Sequence, residues 1–187
     1  MASRVEKYLR HLDRISGGVE PLFFPVASTK PGLRGVTEIV YRDLPEGLLT
    51  TLTYGLSTAE HADWRHGTPE LCMTVRSDDL IWAHALGHLA EGLRGDCPFS
   101  YGNAIDFGER IAPGSAMSGF TVFAPAALPR EDALGIEVGP EPVRDRINVQ
   151  GVYPVHASEL QFIAEAGFGA FWELDWDPYD VGRPPAA

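Results

Sequence analysis

The sequence predicts an α+β fold: a mixed, largely antiparallel sheet of about six or seven strands packed against about three helices. Short runs that alternate apolar and polar residues, separated by turns rich in Gly and Pro, predict the strands. Three segments with apolar residues at helical spacing, each opened by a capping residue and closed by glycine, predict the helices. At 187 residues the chain fits one domain, 1–187, large enough to bury a core without disulfides or metal.

The first helix opens with Ser3 and Glu6 as a capping box. Val5, Tyr8, Leu9 and Leu12 share its apolar face, and Gly17-Gly18 stops it. Residues 19–27 are apolar but interrupted by Pro21 and Pro25, which suits an edge strand or an extended connection. Residues 35–43 and 48–56 flank the turn Pro45-Glu46-Gly47 and form a hairpin. In its second strand Leu48, Leu52, Tyr54 and Leu56 share one face. Leu49, Thr51 and Thr53 form the other, expected to be less deeply buried. Residues 57–69 read as a polar loop. Residues 70–76 form a strand with Leu71, Met73 and Val75 inward. Asp78 or Ser77 then caps a helix to Arg94, with Trp82, Leu86, Leu89 and Leu93 on its buried face and Gly95 as its stop. Residues 96–118 are rich in Gly, Pro, Ser and Asn, with a short strand around 105–111. Further short elements follow: a strand at 119–124, a helical turn at 126–132 and a strand at 134–138.

Residues 147–183 close the fold. An extended run, 147–155, carries most of its apolar residues at odd positions. A helix over 158–166 has Ser158 as N-cap with Gln161 closing the box, Leu160, Ile163 and Ala164 on one face, and Gly167 as its stop. Residues 168–176 read as a hydrophobic strand. Glu173, Asp175 and Asp177 then share one face of it, with Trp172, Leu174 and Trp176 toward the core.

The order Val152-Tyr153-Pro154-Val155, then Ser158-Glu159-Leu160-Gln161-Phe162-Ile163, then Gly167 and Asp180 three residues before Arg183, resembles the end of a suppressor of fused-like domain. Upstream, Glu70-Leu71-Cys72-Met73-Thr74-Val75, the helix after it, residues 100–111 and Gly119-Phe120-Thr121-Val122-Phe123-Ala124-Pro125 follow the same family order, so the resemblance covers residues 36–183. It implies a single-domain bacterial member. The larger animal homologue has an additional C-terminal domain involved in binding a transcription factor. Nothing in this sequence corresponds to that domain, so the role is not carried over. The resemblance implies a non-catalytic protein-binding domain, of a kind associated in bacteria with immunity proteins that neutralise toxins from competing cells. A regulatory adaptor with no toxin partner is one alternative, and a metal-dependent enzyme using His84 and His88 is another.

Charge narrows the partner. The formal net charge is -11, distributed as +1 over residues 1–50, -4 over 51–100, -3 over 101–150 and -5 over 151–187. An acidic surface of this kind repels phosphate backbones and anionic lipid and attracts a basic protein. Expected contact residues are Glu173, Asp175, Asp177 and Asp180, together with Glu60, Asp63 and Trp64 in the loop at 57–69. Trp64 either anchors an interface or folds back onto its own domain. The carboxylates at 173–177 serve either an interface or an edge strand protected by charge against aggregation.

Catalytic motifs are absent. Cys72 lies between Leu71 and Met73 as a buried, inert thiol, and with only Cys97 beside it no disulfide framework is implied. No apolar leader follows Met1, so a cytoplasmic location is expected. His84 and His88 stand one helical turn apart, as in zinc proteases, but Ala85 occupies the position of the required glutamate. Both lie well around the helix from the buried face centred on Trp82, Leu86 and Leu89, which predicts a boundary or solvated pair. His61 and His66 near Glu60 and Asp63 show composition without a metal-ligand pattern. Gly114-Ser115-Ala116-Met117-Ser118-Gly119 has its serines at the wrong offsets for a nucleophile elbow. No cofactor is expected.

Overall fold

The alternating runs pair into one sheet of eight strands, more than the sequence predicts. A computed structural model describes the whole chain, Met1–Ala187. Its strands are β1 (Leu22–Pro25), β2 (Thr37–Arg42), β3 (Leu49–Tyr54), β4 (Thr68–Val75), β5 (Ala104–Asp106), β6 (Gly119–Phe123), β7 (Ile136–Glu137) and β8 (Arg146–Val155). The helices are α1 (Arg4–Ser16), α2 (Ile81–Leu93), α3 (Arg130–Ala133), α4 (Ala157–Ala166) and α5 (Phe168–Trp172). Strand order is β1-β2-β3-β4-β8-β6-β5, with β7 beside the start of β8.

β8 is the axis of the sheet. Its first half, from Ile147 to Gly151, pairs in parallel with β4, and its second half, from Gly151 to Val155, pairs antiparallel with β6. A parallel pair needs a crossover, and the chain between β4 and β8 supplies it, with α2 as its longest helix. Both faces of the sheet are covered. On one, Trp82, Ala83, Leu86 and Ala90 of α2 join Val40, Leu49, Leu71, Met73 and Val75, and the cluster continues into Phe99, Phe120, Val122 and Val152. On the other, Tyr8 and Leu12 of α1 join Ile39, Tyr41, Leu52, Cys72, Ile147 and Val149. Val155, Ile163 and Phe171 extend this second layer under α4 and α5.

Double coverage explains why β4 is buried at all eight positions. It also corrects the expectation for β3: Leu49, Thr51 and Thr53 are as buried as Leu52, because α2 lies over the face expected to be shallower. The capping box of α1 forms as predicted, with Ser3 N donating to Glu6 Oε2 at 2.6 Å, and Gly17 ends the helix at φ +70°. Val5, assigned to the buried face, is exposed. α2 begins later than predicted. Asp79 Oδ1 accepts from Ile81 N and Ser77 Oγ from Asp79 N, so both side chains shape the approach to the helix.

The C-terminal elements depart most from the sequence reading. α4 is capped through Glu159, whose Oε2 accepts from His156 N at 2.8 Å, rather than by Ser158 and Gln161. Glu159 is held in place by a buried partner described below. Residues 168–176 form no strand; α5 and an irregular exit take their place. Phe168, Phe171 and Trp172 stand at i, i+3 and i+4, so a helical turn gathers the aromatics against β6 and β8. Exposure nonetheless alternates as expected: Glu173, Asp175 and Asp177 are exposed and Trp172, Leu174 and Trp176 half-buried.

Cys72 is buried, and desolvation pushes its thiol up to about 12 despite a hydrogen bond from Thr74. Iodoacetamide at mildly alkaline pH is expected to leave Cys72 unmodified in the folded protein and to label it after denaturation. Peptide mapping that finds native Cys72 labelled would contradict this burial. No helix is long and apolar enough to cross a membrane.

Candidate protein-binding surfaces

The residues singled out for partner contact fall into two groups, at opposite ends of β4. Loop 57–67 precedes Thr68, whereas the acidic exit meets the chain just after Val75. Eight residues of strand separate them, roughly 23 Å at the rise of a β-strand. They form two surfaces, not one.

At the first end, Glu70 organises the loop. Its buried carboxylate accepts from Thr53 Oγ1 at 2.7 Å, Gly55 N at 2.8 Å, and both Ser57 N and Ser57 Oγ. Arg4 reaches beneath the loop from α1, donating to Ser57 Oγ at 2.9 Å and Arg144 O at 3.0 Å, with Asp145 at 3.5 Å. Above lies an open cleft of about 710 Å³. Glu60, His61 and Trp64 form one wall and Glu141, Pro142, Val143 and Arg144 the other. Trp64 folds back onto its own domain: its indole Nε1 donates to Pro98 O at 3.0 Å and its ring packs on the core beneath α2. Glu60 and Asp63 are exposed. Arg144 beside Glu60 and Glu141 leaves the cleft mixed in charge.

At the second end, the C-terminal tail is clamped. Arg183 and Glu159 are both buried and pair through both guanidinium Nη atoms, while Ala186 N donates to Glu159 Oε1 at 2.8 Å. The guanidinium also lies 4.8 Å from the centroid of Trp176. Burial alone would push the Glu159 carboxyl up, but the hydrogen bonds from Arg183, Ala186 N and His156 N outweigh it and hold it below the ordinary range. Beside the clamp Tyr101, Phe123, Phe168 and Trp172 stack ring on ring at 4.6–5.5 Å. Tyr101 is 46 % exposed and the other three are half-buried, so part of this aromatic shelf faces solvent.

The four carboxylates predicted here divide by partner. Asp177 is held low by a hydrogen bond from Tyr179 N and, against some desolvation, by Arg76 at 2.8 Å. Asp180 turns back to accept from Gly182 N at 2.8 Å. Both serve the local fold. Glu173 and Asp175 are exposed and have no ion pair or side-chain hydrogen bond.

A third arrangement includes a residue the sequence reading missed. His84 Nδ1 lies 2.8 Å from Oε2 of Glu38, a β2 carboxylate buried under α2. Desolvation raises the Glu38 pKa and the histidine works against it. His84 is 43 % exposed and His88 is exposed, as expected for a boundary pair. A carboxylate inside the alternating run of β2 was the available signal. No group of three or more His, Cys, Asp or Glu side chains is placed to hold a metal ion.

No protein-family model matches the chain, and no curated protein matches it in sequence. Solved structures do match. The suppressor of fused homologue of Neisseria gonorrhoeae superposes with a TM-score of 0.73 at 14% identity, over 97% of this chain and 95% of that one. The fold is that of the suppressor of fused proteins. Sufu in the Sufu–Fu complex gives a TM-score of 0.69 at 11% identity, over 98% of this chain and 92% of that one. Drosophila Suppressor of Fused gives 0.66 at 11% identity, over 96% of this chain but 50% of its own. This chain therefore spans about half the length of the Drosophila protein.

The residues that carried the suppressor of fused-like resemblance serve the frame of the fold. Glu70 to Val75 lies in β4, Val152 to Val155 in β8, and Gly119 to Phe123 in β6, the three adjoining strands at the centre of the sheet. Asp180 and Arg183 hold the tail.

Proposed function

We propose that this chain is a non-catalytic protein-binding domain whose partner is a basic protein, and that it acts as a cytoplasmic immunity protein that neutralises a toxin. The observation that carries the reading is the pair Glu173 and Asp175, two exposed carboxylates without partners, following directly on the aromatic shelf of Phe168 and Trp172. Aromatic groups on a rigid base supply buried contact area, and the flanking charge supplies attraction and register for arginines or lysines opposite. The fold lends support, since Sufu is seen in complex with Fu. Glu60, Asp63 and Trp64 belong to a separate surface of mixed charge and are not assigned to this contact.

Affinity capture tests the reading. The native protein is used as bait against the source cell's lysate and secreted fraction, at low and at high salt. A single basic partner, released by salt and losing its toxicity in the complex, is the expected result. A salt-insensitive or acidic partner would overturn the electrostatic reading. A basic partner without toxicity would favour the regulatory adaptor.

A further inference from the structure

The third arrangement, at His84 and His88 of α2, has chemical content of its own. His84 and His88 are one turn apart and project to the same side of the helix. His88 Nδ1 lies 2.7 Å from His84 O, and a carbonyl oxygen only accepts, so the proton is on Nδ1. Glu38 Oε2, 2.8 Å from Nδ1 of His84, engages the same ring nitrogen there, and Phe24 packs edge-on against that ring at 5.2 Å between centroids. Gly87 lets this happen: a Cβ there would overlap Glu38 Oε1, so glycine admits the carboxylate beneath the helix. With Nδ1 of each ring engaged in this way, Nε2 is the nitrogen left to a ligand, and neither Nε2 has a protein partner.

We propose that His84 and His88 form an open two-imidazole site for a divalent transition-metal ion such as Zn²⁺ or Cu²⁺, with Glu38 as the outer-shell carboxylate that orients His84. A carboxylate or carbonyl oxygen on the other ring nitrogen is how proteins hold histidine ligands to metals, and both rings have one. Imidazole suits both ions, and spacing of i and i+4 brings two to one ion. Water completes the coordination. Glu38 arrives from β2 and not from the position beside the first histidine, so the site carries no peptidase chemistry.

Isothermal titration of the untagged protein with Zn²⁺, and the electron paramagnetic resonance spectrum with Cu²⁺, test this. One equivalent is expected to bind, with nitrogen hyperfine structure from two imidazoles. H88A, at an exposed position, is expected to weaken binding at least tenfold and remove one nitrogen, while H66A leaves both readouts unchanged. E38Q is expected to weaken binding about 10- to 100-fold. Absence of saturable binding up to about 1 mM metal, or an H88A variant that binds like the native protein, would overturn the site. An E38Q variant with native affinity would overturn the role of Glu38.

Discussion

Replacing Arg183 by Met is expected to lower stability by about 3–5 kcal/mol, the cost of leaving a buried charge without its partner. Glu159 would keep its hydrogen bonds from His156 N and Ala186 N but lose both guanidinium bonds. For a chain of this size that is a fall in melting temperature of about 10 °C. The pH dependence gives the sign. In the native protein the Glu159 carboxyl is held below its unfolded value, so its contribution is complete above the ordinary glutamate range. It is lost as pH falls through the depressed folded value. In R183M burial pushes the carboxyl up instead, and acid relieves the penalty by protonating it. The gap between native and variant melting temperatures is therefore expected to narrow from pH 7 toward pH 4. A gap independent of pH would show that the loss comes from packing against Trp176.

Arg94→Met is expected to cost a similar amount, about 3–5 kcal/mol, at the other buried pair. Arg94 and Glu91 are 0% and 3% exposed. Glu91 also accepts from Thr29 N at 2.8 Å and Val36 N at 3.2 Å, so the pair ties the connection between β1 and β2 to α2. Arg94 adds bonds to Gly55 O at 3.2 Å and Ser28 Oγ at 2.9 Å. The double variant E91L/R94M separates charge from architecture. Removing both charges is expected to recover part of the loss, because no carboxylate is left stranded. Recovery stays incomplete because Thr29 N and Val36 N lose their acceptor. Thermal melts of the three variants against the native protein read the difference, and full recovery would show that those two backbone bonds contribute nothing.

The Glu159–Arg183 pair, like that of Glu38 with His84, also marks where the sequence stops being informative. Strand alternation in β2, β4 and β8 and the apolar faces of α1 and α2 are local periodicities, and they were legible. The partnership of Glu159 with Arg183 spans 24 positions, and that of Glu38 with His84 spans 46. No periodicity links such residues; only the folded sheet brings them together. α5 was misread for a different reason. Short aromatic runs fit either a strand or a helical turn, and packing against Phe123 and Tyr153 decides between them. At the candidate surface, the alternation of charged and apolar residues from 172 to 177 was legible. That Asp177 and Asp180 are taken up by Arg76 and a tail turn was not, because those partners lie outside the pattern.

The association rate of the captured basic partner, measured across a salt series with the native protein and with E173K/D175K, tests the central claim most directly. Both positions are exposed and unpaired, so the fold should be unaffected. The native protein is expected to associate fast at low salt and to slow steeply as salt rises. The double variant should be slower at low salt by about tenfold or more, with a nearly flat salt dependence. Equal rates and equal slopes would contradict the assignment of Glu173 and Asp175 to the binding surface.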